Sequence, residues 1–329
     1  MKNFKEITIR EAASIYLNNL KEKTLLIYSP TSMSKIQFEN VNIDAIDTGI
    51  LTKSKEKLDI FSSNNINTYK KVVGLGGGTA TDIAKYISYK INCQLTVIPA
   101  MLSTNAYATN KVALIDNAKK KTFDAKLPDC IVLDIDLIKQ APKQNLYGFA
   151  DIFSIYTALK DWNISNNDTN EKIDLNIYNK ANRLLNSAIN FVKNNSLASF
   201  NNSIETLYEI IGESGEITNI YGSGRPESGS EHIFAKALEE IVAVPHGISV
   251  SIGILLMSSL QNNCSEEILY CINKLHVLED AHKYGINIDL VQKVFNSLIP
   301  RIDRYTVIST DIYNKNNCNN SINVLKDLI

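Results

Sequence analysis

The segment from Val72 to Lys85 limits the possible folds of this chain more than any other. An apolar run, Val72 to Leu75, passes directly into Gly76, Gly77 and Gly78, and a helical pattern follows through Thr81, Asp82 and Ile83. Glycines between a buried strand and a helix N-terminus let backbone N–H groups come close to an anion, and the helix dipole favours its negative charge. The segment reads as a phosphate or pyrophosphate site, or as a tight structural connection. It is not a P-loop, because no Gly-Lys-Ser/Thr follows at the required spacing, and Thr79 breaks the GxGxxG pattern. Asp82 also suits a first-turn acid facing the dipole, and Lys85 a solvated helix charge.

A loop of this kind belongs in a parallel α/β sheet, and the first half of the chain supplies one. Strands are expected at Leu25–Tyr28, Val41–Ile46, Lys71–Leu75, Leu95–Ile98 and Cys130–Asp134, with a peripheral strand at Lys111–Asp116. Helices are expected at Lys55–Asn65 and Thr81–Tyr89. After Pro142 helical periodicity takes over, with breaks near 163–172, 194–201 and 221–229. The expectation is an α/β nucleotide-binding domain with a parallel sheet at 1–146 and an all-α metal-binding domain at 147–329. Asn-rich stretches at 163–170, 190–202 and 314–322 read as exposed turns.

The 329 residues suffice for two such domains. Lys plus Arg (34) nearly balances Asp plus Glu (35), so no global field points to nucleic acid or an anionic membrane. No apolar run is long enough to span a bilayer, and Met1–Arg10 has no signal-peptide core. Cys93, Cys130, Cys264, Cys271 and Cys318 form no CxxC pair and read as reduced thiols, which makes the cytoplasm the expected location.

Of the four histidines, two sit where their geometry would be fixed. Ser228 and Glu231 have capping-box spacing, which places His232 in the first turn of a helix. His246 follows Pro245 and precedes Gly247, just ahead of the apolar helix Ile248–Leu256. Asp151 lies in the apolar helical run Tyr147 to Phe153, where a carboxylate must be paired, protonated or bound to metal. Two imidazoles and a carboxylate with an open position suit a catalytic divalent metal of the kind zinc occupies. The competing reading is a capping or salt-bridged Asp and two unrelated core histidines. His276 and His282 sit among charged residues and read as surface positions.

Taken together, these segments resemble the superfamily of iron-type alcohol dehydrogenases, glycerol dehydrogenases and dehydroquinate synthases, and most of all its glycerol-1-phosphate dehydrogenase branch. Gly76 to Lys85 is similar to the GGGxxxDxAK signature, and Ile98-Pro99 through Ser103, Thr104, Asn105 and Ala106 to the loop that contacts nicotinamide and substrate. Gly148–Asp151 and Arg225–His232 resemble segments bearing metal ligands. The resemblance covers about 25–260 in order. It implies Asp151, His232 and His246 as metal ligands, and Gly76, Gly77, Gly78, Asp82, Lys85, Ser103 and Thr104 as the NAD or NADP site.

Three departures bear on the substrate. Asn105 stands where glycerol dehydrogenases carry an Asp. Lys236 stands where a second histidine commonly follows four residues after the first. It would share a helix face with His232, as an acid/base or a phosphate-binding charge, unless it faces solvent. Lys111, six residues after Asn105, resembles the phosphate-holding lysine of dehydroquinate synthases, or is a surface residue. Arg225 is a further candidate anion-binder.

The resemblance implies hydride transfer between a nicotinamide cofactor and a small phosphorylated polyol or ketose, with the metal as Lewis acid. Zinc is the leading expectation for the ion, iron and nickel being suited by the same donors. A homo-oligomer, dimer or larger, is expected. The rival readings are a dehydroquinate-synthase-like lyase with transient NAD use, and a non-catalytic descendant that keeps metal and nucleotide as ligands.

Overall fold

A computed structural model describes residues 7–200 and 202–326. The chain divides into two compact units, Met1–Asn145 with Ser203–Gly215, and Leu146–Asn202 with Glu216–Ile329. A single cut at 146/147 therefore leaves out Ser203–Gly215, which returns to the first unit.

The first unit is built on a six-stranded, all-parallel sheet. Its strands are β1 (Ile7–Ile9), β2 (Thr24–Tyr28), β3 (Ile43–Asp47), β4 (Lys71–Gly76), β5 (Gln94–Pro99) and β8 (Cys130–Val132), in the order β1-β8-β5-β4-β2-β3. A separate antiparallel hairpin joins β6 (Lys111–Asp116) to β7 (Lys119–Asp124). The helices that matter here are α1 (Lys55–Asn64) and α2 (Gly78–Ile91). Strands covered on both faces carry near-continuous apolar runs, and β4 and β5 do so, with Val72, Val73, Leu75, Leu95, Val97 and Ile98 all buried. One face packs with Ala13, Leu17, Ala100 and Leu137. Helix α2, which packs on β4 and β5, adds Ile83, Ala84 and Ile87 to the core.

The second unit is helical. Its longer helices are α3 (Pro142–Thr169, which begins in the first unit), α4 (Leu175–Asn194), α5 (Ile204–Tyr221, which enters from the first unit), α6 (Ser230–Glu239) and α7 (His246–Leu260). Asp174 caps α4 by accepting the N–H groups of Asn176 and Ile177 at 2.9 and 3.2 Å. Ile177, Ala181, Leu184, Leu185, Ala188 and Val192 then form its buried stripe. Every residue of α7 from Gly247 to Ser258 is buried, as expected of a helix apolar all round. Helix α7 packs along α6.

The α/β unit followed by a helical one matches the fold expected from the sequence. Several local expectations change. Strand β1 falls within Met1–Arg10, of which residues 1–6 lie outside the described set. Strand β7 was not anticipated. The Asn-rich stretches lie mostly in helices: 163–169 close α3, 190–194 close α4, and Lys315–Ile322 is a helix capped by Asn314.

Candidate metal centre and nucleotide loop

Helix α3 carries Asp151 into the interior of the second unit, where it is 8% exposed. Helix α6 presents His232 as its third residue, and α7 begins on His246 itself, with Pro245 as N-cap. His246 thus belongs to the helix rather than to the turn before it. Its placement needs a close approach: a Cβ on Gly247 would lie 2.5 Å from Tyr147 Cβ and 2.7 Å from Tyr147 O. Only glycine lets the start of α7 sit against α3 there.

The three side chains converge. Asp151 Oδ1 lies 3.4 Å from His246 Nε2 and 3.7 Å from His232 Nε2. One ligand atom from each residue falls within 4.8 Å of the others, the one such group of His, Cys, Asp and Glu among the described residues. Asp151 Oδ1 is buried without a hydrogen-bond partner. Burial works against its charge, but the two histidines hold its carboxyl well below the ordinary range. Burial likewise opposes a charged His246, yet the carboxylates of Glu239 and Asp151 push it up to about 9. His232 is raised against burial by Asp151 and Glu231.

Sequence reasoning missed the carboxylates behind the histidines. His232 Nδ1 lies 2.8 Å from Glu231 Oε1, and His246 Nδ1 lies 2.6 Å from Glu239 Oε1. Glu231 was expected as half of a capping box with Ser228. Instead Gly229 is the N-cap, and the Glu231 carboxylate accepts the Gly229 N–H at 2.5 Å. A signal existed for Glu239, which ends α6, where the helix dipole disfavours an anion and a partner is called for.

The glycine loop lies in the first unit. Gly76 has φ +148°, a conformation that side chains rarely adopt, and Gly77 is the N-cap of α2, with no side chain capping it. The first-turn N–H groups of α2 are thus presented without a side-chain acceptor, which suits an anionic ligand. Thr104 Oγ1 is 3.3 Å from where a Gly78 Cβ would sit, so the Ser103–Thr104 segment flanks the helix start.

Asp82 and Lys85 brace this loop. Asp82, 6% exposed, binds Lys53 Nζ at 2.6 Å. Lys85 is fully buried, not solvated, and its ammonium donates to Ala106 O at 2.8 Å and Lys111 O at 2.6 Å. Asn105 donates to Ser214 Oγ at 2.8 Å. Lys111 Nζ is ion-paired with Asp124. Arg225, 3% exposed, donates to the Glu171 carboxylate at 2.8 and 3.1 Å and to Asp161 O at 3.4 Å, so its side chain does not face solvent. Lys236 is half-buried one turn beyond His232 on α6. His276 and His282 are exposed.

The family model for iron-containing alcohol dehydrogenase matches residues 4–142. The glycerol-1-phosphate dehydrogenase [NAD(P)+] of Aeropyrum pernix is 30% identical over 245 residues, covering 72% of this chain and 68% of that protein. The protein of the same name from Methanosarcina acetivorans is 29% identical over 248 residues, 73% and 68% of the two chains. Among solved structures, a probable glycerol dehydrogenase from Sinorhizobium meliloti superimposes with a TM-score of 0.71 at 16% identity, covering 98% of this chain and 96% of that one. The chain belongs to the family of iron-containing alcohol dehydrogenases that includes the glycerol-1-phosphate dehydrogenases.

Proposed function

We propose that this protein is a metal-dependent, NAD(P)-linked dehydrogenase that interconverts a small phosphorylated polyol and its ketone, with glycerol 1-phosphate and dihydroxyacetone phosphate as the reference pair. One observation carries the reading: a buried carboxylate oxygen, Asp151 Oδ1, without a hydrogen-bond partner and within 3.7 Å of two imidazole Nε2 atoms. Donors of this type suit a divalent cation, and Asp151, His232 and His246 would hold it. Zinc is our expectation, with iron and nickel as alternatives. A bound divalent metal supplies Lewis acidity toward a ketone or alcohol oxygen.

The remaining roles fall to the chain's own groups. The amides of Gly76 to Gly78 and the first turn of α2 would receive the cofactor pyrophosphate. Asp82 and Lys85 would act by holding the loops around that helix. Lys236, one turn from His232, is the residue we assign to the substrate phosphate or to proton transfer. Arg225 and Lys111 are ion-paired with Glu171 and Asp124. A homo-oligomer in the cytoplasm is the matching expectation. Among the described residues no helix is long and apolar enough to cross a membrane.

The test is to supply metal-loaded protein with NADH or NADPH and a panel of ketose phosphates. Oxidation of the cofactor, fastest with dihydroxyacetone phosphate, is expected. Phosphate release without net change in the cofactor would favour the lyase reading instead, which the named relatives do not support.

A further inference from the structure

We propose that Glu231 and Glu239 are positioning residues that set the metal affinity of this centre, each by fixing one histidine in the tautomer that offers Nε2. The inference rests on the metal reading above and adds two residues to it.

A carboxylate only accepts hydrogen bonds, so a histidine Nδ1 facing one carries the proton. At 2.8 Å from Glu231 and 2.6 Å from Glu239, the Nδ1 atoms of His232 and His246 are both committed in this way. Nε2 is then the nitrogen left to face a cation as its own proton leaves, and the two Nε2 atoms are the same two that approach Asp151 Oδ1. Neither carboxylate is free to turn. Glu231, wholly buried, also accepts Thr157 Oγ1 at 2.7 Å and the Gly229 N–H at 2.5 Å. Glu239 also accepts Ser249 Oγ at 2.5 Å.

The two acids sit at opposite ends of α6 and do different work. Glu231 adjoins its own histidine in sequence, whereas Glu239 reaches across to the first residue of α7. Helix α6 thereby carries one ligand and both orienting acids, and it registers the start of α7 through the Glu239–His246 contact. Carboxylates placed behind ligating imidazoles fix the rings and raise their basicity, and losing one typically weakens metal binding about 10- to 100-fold.

The experiment is a competition titration of zinc between the stripped protein and a chromophoric chelator, with thermal melting of the metal-free protein alongside. Glu239→Gln and Glu231→Gln should each bind zinc about 10- to 100-fold more weakly while the metal-free melting temperature stays close to that of the parent. Glu240→Gln, an exposed neighbour, should leave both readouts unchanged. A Glu239→Gln protein that binds zinc as tightly as the parent overturns the inference and leaves the metal reading standing. A Glu239→Gln protein with a lowered melting temperature and unchanged zinc affinity overturns it too, because the role is then structural. A parent protein that takes up no zinc, iron or nickel overturns the metal reading and this inference with it. Should Glu231→Gln fail to fold, Glu239→Gln carries the test.

Discussion

Asp151 Oδ1 and His246 Nε2 face each other at 3.4 Å inside the helical unit, and no donor satisfies the carboxylate oxygen. Asp151→Asn keeps the shape of the side chain and removes the anion. Metal content, measured on protein expressed and purified in parallel, should fall to near zero in the variant and approach one ion per chain in the parent. Equal metal in both would show that the ion is held elsewhere.

Lys85 ties the backbone carbonyls of Ala106 and Lys111 with a fully buried ammonium. Lys85→Met keeps most of the volume and leaves the Ala106 and Lys111 carbonyls without that donor. A loss of about 2 to 4 kcal/mol of unfolding free energy is expected. Denaturant titration measures it, and a loss well under 1 kcal/mol would argue that these bonds do not hold the loop.

Gly247→Ala introduces a methyl group 2.5 Å from Tyr147 Cβ. The first turn of α7 must shift, at a cost of about 1 to 3 kcal/mol, and it carries His246 with it. Weaker metal retention should accompany the lower stability. A variant with unaltered stability and metal content would show that α3 and α7 have room to spare.

Asp161, at the start of α6 behind His232, supplies a pH signature. Its carboxylate accepts the N–H groups of Ser230 and Val307 and the Gln261 amide at 2.6, 2.8 and 2.9 Å. Burial and the nearby Glu231 nonetheless push its pKa up to about 6, while Arg225 contacts only its backbone carbonyl. A folded-state value above the ordinary 3.8 means that folding favours the protonated form. The contribution is fully present below 3.8 and is lost as pH rises through about 6. Relative to Asp161→Asn, the parent should lose about 1 kcal/mol of stability between pH 5 and 7. A flat or rising difference would contradict the assignment.

What could be read from the sequence follows from where the signals are local. The Val72–Lys85 segment specified a strand, a turn and a helix, because burial on both faces makes β4 continuously apolar and the glycines mark its end. Strand β1 escaped notice because three residues carry little periodicity and their partners lie far along the chain, with Ile7 opposite Cys130. Strand β7, with Lys119, Lys120 and Lys121 in succession, reads as surface and is a strand only through its pairing with β6. Asp151, His232 and His246 were legible as residue types, whereas Glu239 left only its place at the end of α6 as a signal, since its contact with His246 depends on α7 folding back along α6. Arg225 and Lys111 looked like anion binders for the same reason, because Glu171 and Asp124 become their partners only once the chain has folded.

The most direct test of the central claim measures NAD(P)H oxidation by dihydroxyacetone phosphate across a series of samples with graded metal content. The account predicts a rate proportional to bound metal, absent from stripped protein, restored on reloading, and absent from Asp151→Asn at every metal concentration. A rate that persists in fully stripped protein, or full activity in Asp151→Asn, would contradict it.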